Sequence, residues 1–216
     1  FLRFDPKQWK MQQPYPPLGT ISAAAFLRNR NFPVELFDPM FAQSAKEIVP
    51  SLGKFQPDVL VIYDDGFNYL TKMCLTNMRE AAFEMIRLAK ERSIQVIVNS
   101  SDSTDHAEKY LKAGADYIII GEGEETLGEL MQHITTSSED PHQINGLQFI
   151  SSTGIVKTSK RNVMKAIDDL PVPAWDLVNM NEYKSRWLAS PGYFSLNLST
   201  TRGCPFHCNW CAKPIY

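Results

Sequence analysis

Cysteine and histidine are scarce in this sequence, four of each in 216 residues, and so is any imbalance of charge. The 22 basic and 24 acidic residues leave a formal net charge of -2, and the lysines and arginines are dispersed. A nucleic-acid groove shows a basic stripe, so no nucleic-acid partner is expected. No segment approaches the roughly 20 apolar residues needed to cross a bilayer. The longest apolar strings, Val59 to Tyr63 and Tyr117 to Ile120, are strand-sized. The opening Phe1-Leu2-Arg3-Phe4-Asp5-Pro6 lacks the charged region and apolar core of a secretion signal. It also lacks an initiating Met, so the natural N-terminus is expected upstream. Hydrophobic residues at 44% and charged residues at 21% fit a globular chain. The length allows one full domain and part of a second.

Between positions 18 and 136 helical periodicity alternates with short β-branched runs. Leu127, Leu130, Met131 and Ile134 fall at i, i+3, i+4 and i+7, on one helical face. Met78, Ala82, Met85 and Ala89 make a second stripe, read as core packing. Val34 to Phe37, Asp58 to Tyr63, Ile94 to Val98 and Asp116 to Ile120 are candidate strands. Nearly continuous apolar runs of this kind belong to strands covered on both faces. Strands alternating with helices predict an α/β fold with a Rossmann-like, doubly wound parallel sheet. The first strand of such a unit is absent or reduced to Phe1 to Phe4.

After Ile134 the texture changes. Leu147 to Ile150 and Ile155 to Thr158 flank Ser151-Ser152-Thr153-Gly154, which predicts a small β-hairpin. Pro171 and Pro173 predict an extended stretch from Asp168 to Trp175. Residues 1–136 are therefore read as one domain, 137–190 as a connector, and 191–216 as the start of another. In that last part a strand, Phe194 to Ser199, leads into a cysteine loop.

Three of the four cysteines sit within eight positions, as Cys204-x3-Cys208-x2-Cys211, while Cys74 stands alone. A disulfide framework spreads its cysteines; a tight trio reads as metal binding in a reducing, cytoplasmic setting. Iron–sulfur cubanes commonly take four thiolates, so three leave one iron open to bind a small molecule. Gly203 and Pro205 help the backbone wrap a bulky cluster. The rival is a Cys3His zinc site through His207. Zinc sites usually pair their ligands in two separated sets, and His207 adjoins Cys208 with no second pair following.

Three other loops lie at the predicted carboxyl ends of strands, where open parallel sheets bind ligands. Gly121-Glu122-Gly123-Glu124 opens the last helix, with glycines permitting close approach and a free helix N-terminus behind them. A simple capping turn explains it as well. Asn99 to Thr104, with Ser100, Ser101, Asp102, Ser103 and Thr104, follows another strand and is open to the same two readings, with Ser103 or Asp102 the candidate cap. Asp64 to Asn68 is similar in character. Ahead of the first helix, Tyr15-Pro16-Pro17-Leu18-Gly19 offers an aromatic ring to a flat ligand.

The run Arg202-Gly203-Cys204-Pro205-Phe206-His207-Cys208-Asn209-Trp210-Cys211 resembles the signature of the radical S-adenosylmethionine superfamily. The Tyr15–Gly19 and Gly121–Glu124 motifs, with Leu170-Pro171-Val172-Pro173-Ala174-Trp175 after them, resemble those of its members that carry an N-terminal cobalamin-binding domain. The resemblance implies a [4Fe–4S] cluster on Cys204, Cys208 and Cys211. S-adenosylmethionine would sit on the open iron with Trp210 near its adenine, to be cleaved reductively to methionine and a deoxyadenosyl radical. It further implies cobalamin contacts from Tyr15, Pro17, Leu18, Gly19 and the 121–124 loop, to which Asp64, Asn68 and the 100–104 loop, read from their place at the strand ends, are expected to add. An electron donor such as flavodoxin or ferredoxin and a small-molecule, natural-product-like substrate are the implied partners. Many cobalamin proteins ligate cobalt through Asp-x-His-x-x-Gly, and none of His106, His133, His142 or His207 has that spacing. Base-off cobalamin without a histidine ligand is therefore expected. The expected reaction is methyl transfer to an unactivated carbon, with cyclisation or rearrangement as the alternative. A methylthiotransferase would need cluster cysteines in the front domain, where only Cys74 stands, and a plain cobalamin carrier would need no cysteine loop.

Overall fold

A computed structural model describes residues 1–64, 75–136, 140–190 and 192–202. The cysteine loop with Trp210, together with Asn68 and Cys74, lies outside the described residues. Strands β1 (Val59–Tyr63), β2 (Gln95–Asn99) and β3 (Tyr117–Ile119) pair in parallel, in that order. The predicted positions hold to within about one residue.

The alternation of a strand splits these β-branched runs between two faces. Val96, Val98 and Ile118 enter one core with α3 (Ile48–Phe55), α4 (Leu75–Lys90) and α6 (Ala107–Lys112). Ile97 and Ile119 enter the other with α2 (Leu18–Arg28) and α7 (Glu124–Thr136). Both predicted helical stripes face these cores. Ala82, Met85 and Ala89 are buried, as are Leu127 and Leu130, with Met78, Met131 and Ile134 packed alongside.

The sheet is mixed rather than parallel throughout. The predicted hairpin forms as β4 (Leu147–Ser151) and β5 (Gly154–Lys157), but β4 pairs antiparallel with β3. Leu147 and Phe149 alternate into the same core as Ile119, so burial of one hairpin face drives the addition.

Of the first strand, expected as absent or reduced to Phe1 to Phe4, the second alternative does not form: the segment contains a 3-10 turn over Leu2–Phe4. Two expected strands fail. Val34 to Phe37 has apolar residues but no ladder partner among the described residues: it borders an apolar cleft of about 1000 Å3 whose other wall is β1. Phe194 to Ser199 likewise forms no ladder among the described residues. A β-prone run is a strand only where a neighbouring edge accepts its backbone hydrogen bonds.

Ahead of α2 lies a short helix, α1 (Pro6–Met11), capped by the Asp5 carboxylate, which accepts from the Lys7 and Gln8 amides. Between the hairpin and the 192–202 segment, residues 174–189 pack back onto α2. Helix α8 (Met180–Ala189) buries Tyr183 and Trp187, and Tyr183 shares a cluster with Leu18, Ile21 and Val178. The Ala174 amide donates to the Ile21 carbonyl at 3.0 Å. The Tyr183 hydroxyl donates to Asp38 at 2.6 Å. Burial raises the Asp38 carboxyl above its ordinary range and outweighs that hydrogen bond.

Candidate functional site

The carboxyl ends of β1, β2 and β3 converge on one small network. Asn99, the last residue of β2, is buried, and its side-chain amide donates to the carbonyls of Ile119 at 3.1 Å and Gly121 at 3.2 Å. Its own carbonyl accepts from the Asp64 amide at 2.8 Å. Asn99 thereby ties the turns after β1 and β3 to β2. Tyr63, ending β1, accepts at its carbonyl from the Thr20 hydroxyl at 2.8 Å. That bond brings the start of α2, and with it the Tyr15–Gly19 loop, to the same edge.

The two loop glycines have different reasons. Gly121 has a φ of +80°, a region costly for residues with a Cβ, and nothing lies within 4 Å of where a Cβ would stand. It is exposed, so this turn is open to an approaching ligand. Gly123 is buried, and a Cβ there would meet the Tyr63 hydroxyl at 2.8 Å and Asn99 Cγ at 3.1 Å.

The acidic residues around these glycines are engaged within the protein. A Glu122 carboxylate oxygen accepts from the Met164 amide at 2.8 Å. Glu125 and Glu129 both pair with Arg161, whose Nε also donates to the Thr126 hydroxyl at 2.6 Å. Glu124, 4% exposed, pairs at 2.5 Å with Arg202, 13% exposed. Burial pulls the Arg202 guanidinium down, but the Glu124 hydrogen bond and charge leave it above its ordinary value. Burial and the adjacent Glu124 carboxylate push the Tyr63 phenol far above its ordinary range. Tyr63 therefore stays a neutral hydroxyl.

In the 100–104 loop the helix cap is Ser100, not Ser103 or Asp102. The Ser100 hydroxyl accepts from the Ser103 amide at 2.8 Å, and the Ser103 hydroxyl accepts from the Ser100 amide at 3.0 Å. This capping box opens α5 (Ser101–Asp105). Asp102 is buried, pairs with Arg79 and accepts from the Tyr110 hydroxyl at 2.7 Å. Burial works against its ionisation, yet those two partners hold its carboxyl below the usual range. Its oxygens serve an internal ion pair. Thr104 donates from its hydroxyl to the Ser100 carbonyl at 3.0 Å.

The first loop doubles as the seat of α8. The Trp187 indole N–H donates to the Pro14 carbonyl at 2.7 Å, and Tyr15 packs edge-on to Trp187 at 5.3 Å. Leu18 and Gly19 are buried in the first turn of α2, which Pro17 precedes. The Asn197 side-chain amide reaches the Pro16 carbonyl at 3.4 Å.

The structure thus gathers Tyr15 to Gly19, Asp64, Gly121 to Glu124 and the start of the 100–104 loop at one sheet edge. Two residues of this network, Tyr63 and Arg202, escaped the sequence reading as site residues, whereas Asn99 opened the candidate loop that runs to Thr104. Tyr63 had a signal, since it ends a predicted parallel strand, where open sheets carry their ligands. The cleft beside β1 opens at this edge through Pro17, Thr20, Tyr63 and Asp64. Of the histidines, His106 closes α5, His133 lies in the last turn of α7, and His142 hydrogen-bonds Asp140 at 2.7 Å. No helix among the described residues is long and apolar enough to cross a membrane.

Known proteins are similar to this chain in sequence and in fold. An uncharacterized methyltransferase of Pyrococcus horikoshii is 25% identical over 205 residues, 93% of this chain and 41% of that protein. The anaerobic magnesium-protoporphyrin IX monomethyl ester cyclase of Synechocystis sp. is 25% identical over 203 residues, 92% of this chain and 38% of that protein. The chain therefore spans about two-fifths of the length of these relatives. Among solved structures, the cobalamin-dependent S-adenosylmethionine radical enzyme OxsB with aqua-cobalamin and S-adenosylmethionine bound superposes with a TM-score of 0.70. The superposition covers 94% of this chain and 26% of that one at 20% identity, a likeness of fold. Residues 10–131, more than half of the chain, match the family described as the B12 binding domain. With its parallel strand ends, open glycine turn and helix-capped loops, the chain belongs to the B12-binding domain family.

Proposed function

We propose that the chain is the cobalamin-binding front of a radical S-adenosylmethionine enzyme, one that modifies an unactivated carbon, by methyl transfer in the first instance. The observation that carries this reading is the 2.5 Å contact of Glu124, in the glycine loop of the cobalamin fold, with Arg202, two positions before Cys204. Arg202, which opens the cysteine motif in the sequence, thus reaches the glycine loop from almost eighty positions away.

The residues present fit a corrinoid held by backbone and small polar groups. Gly121 leaves the turn after β3 open, and Ser100 and Ser101 sit at the end of β2. None of the described histidines lies in the turns after β1 or β3, in keeping with base-off binding. Cys204, Cys208 and Cys211 would hold the cluster, with S-adenosylmethionine on its open iron beside Trp210. When bound, the cluster supplies the electron that cleaves S-adenosylmethionine, and cobalamin supplies a methyl carrier. The protein's own part is to orient both and to keep water out. A flavodoxin- or ferredoxin-type donor and a small-molecule substrate complete the proposal.

Methyl transfer consumes two molecules of S-adenosylmethionine per product. S-adenosylhomocysteine and 5′-deoxyadenosine should therefore accumulate in equal amounts when the intact enzyme turns over, as quantified by chromatography. The similarity to a cyclase supports a second reading, in which 5′-deoxyadenosine forms with almost no S-adenosylhomocysteine. That outcome would remove methyl transfer.

A further inference from the structure

Residues 192–202 carry no helix or strand, and Leu196 and Leu198 along them are exposed. The segment is fixed at its two ends and touches the first loop between them, where the Asn197 side-chain amide reaches the Pro16 carbonyl at 3.4 Å. Near the first end, the Gly192 amide donates to the Trp187 carbonyl at 3.1 Å. At the second, Arg202 enters the buried network at the ends of β1 and β3 and meets Glu124. We propose that the Glu124–Arg202 ion pair is a positioning strut, setting where the cysteine loop stands relative to the glycine loop of the cobalamin fold. The inference rests on the function proposed above and adds a role for two side chains within it.

Three features make this pair suited to the task. First, both partners are largely buried, so the contact is not a surface pair that solvent can exchange freely. Secondly, Glu124 has little freedom: it opens α7, its neighbour Gly123 packs against Tyr63, and Tyr63 is tied to Thr20. A guanidinium that reaches such a carboxylate takes up a defined direction as well as a distance. Thirdly, ion pairs of this kind add little stability over an apolar contact, and registry is their best-attested use. A one-ångström error in placing reactive groups costs on the order of a hundredfold in rate. A chain connection without regular structure does not hold that tolerance. Glu124 and Arg202 are positioning residues here, acting through the loop that follows.

The test uses the intact protein, loaded anaerobically with cobalamin, cluster and S-adenosylmethionine. Electron paramagnetic resonance reads the magnetic coupling between cob(II)alamin and the reduced cluster, which falls with the cube of their separation. Glu124→Gln and Arg202→Gln should each keep both cofactors, weaken that coupling, and lower product per S-adenosylmethionine cleaved by on the order of a hundredfold. The double variant should lose less than the sum of the two single ones, because the two residues contact each other directly. If a single variant loses a cofactor by misfolding, Arg202→Lys carries the test. It keeps the charge, loses the planar fork, and should hold both cofactors with an intermediate coupling. Wild-type coupling in variants that hold both cofactors overturns the strut alone. A wild-type protein that holds only one of the two cofactors overturns the functional reading, and the strut with it.

Discussion

Gly123→Val should weaken cobalamin binding at least about tenfold while leaving the outer hairpin folded. Its first added carbon would stand 2.8 Å from the Tyr63 hydroxyl and 3.1 Å from Asn99 Cγ. Neither neighbour is the free end of a flexible chain. Asn99 is held by two carbonyls, and the Tyr63 phenol is hydrogen-bonded to Glu124. The loop must therefore move, and overpacking of this kind costs about 1–3 kcal/mol. The displaced turn is the one that presents the open side of Gly121. Titration with cobalamin, followed by visible absorbance, should show affinity down by at least about tenfold, since 1.4 kcal/mol is that factor. Gly121→Ala is the control. It has open space around the added carbon but a φ of +80°, so only a backbone strain of about 1–2 kcal/mol is expected. Affinity near wild type in Gly123→Val would show that the turn after β3 does not shape the site.

Trp187→Ala should cost the most stability of any truncation outside the sheet, about 3–5 kcal/mol. The side chain is 1% exposed, donates to the Pro14 carbonyl, and packs against Tyr15 and Tyr193 with ring centroids at 5.3 and 5.4 Å. Removing it leaves a large cavity and an unpaired buried carbonyl between α8 and the first loop. Trp187→Phe keeps most of the ring and loses the hydrogen bond, at about 1–3 kcal/mol. Hydrogen exchange should show the loss concentrated in residues 14–20 and 180–190, with β1 to β3 unchanged. A uniform loss across the sheet would mean that α8 is an integral part of the core rather than a clasp on its first loop.

What the sequence made legible follows the range of the forces involved. The parallel strands and the helical stripes were readable because burial on both faces leaves a continuous apolar signature in a few residues. Val34 to Phe37 and Phe194 to Ser199 carry the same signature without a strand. Composition reports the tendency of a run, whereas a ladder needs a partner edge elsewhere in the chain. The antiparallel addition of β4 to β3 was hidden for the same reason. The glycine and small polar loops lie, as read, at the carboxyl ends of the strands. The use of the acidic residues did not emerge, because Glu122, Glu124 and Glu125 find partners about 40 to 80 positions away, at Met164, Arg202 and Arg161. Asp102 is the clearest case: a polar residue in a loop at the carboxyl end of β2 that is committed to Arg79 and Tyr110.

The central claim is that one protein holds cobalamin and a three-cysteine cluster at the same sheet edge. Electron paramagnetic resonance on anaerobically reconstituted protein, first as cob(II)alamin and then after reduction, tests it in a single sample. The account predicts a cob(II)alamin signal without nitrogen superhyperfine splitting and, on reduction, a cubane signal in equal amount. Cys204→Ala, Cys208→Ala or Cys211→Ala should remove the cubane signal, and Cys74→Ala should leave it. Nitrogen splitting that vanishes in a histidine variant, or a cubane signal that survives Cys208→Ala, would contradict it.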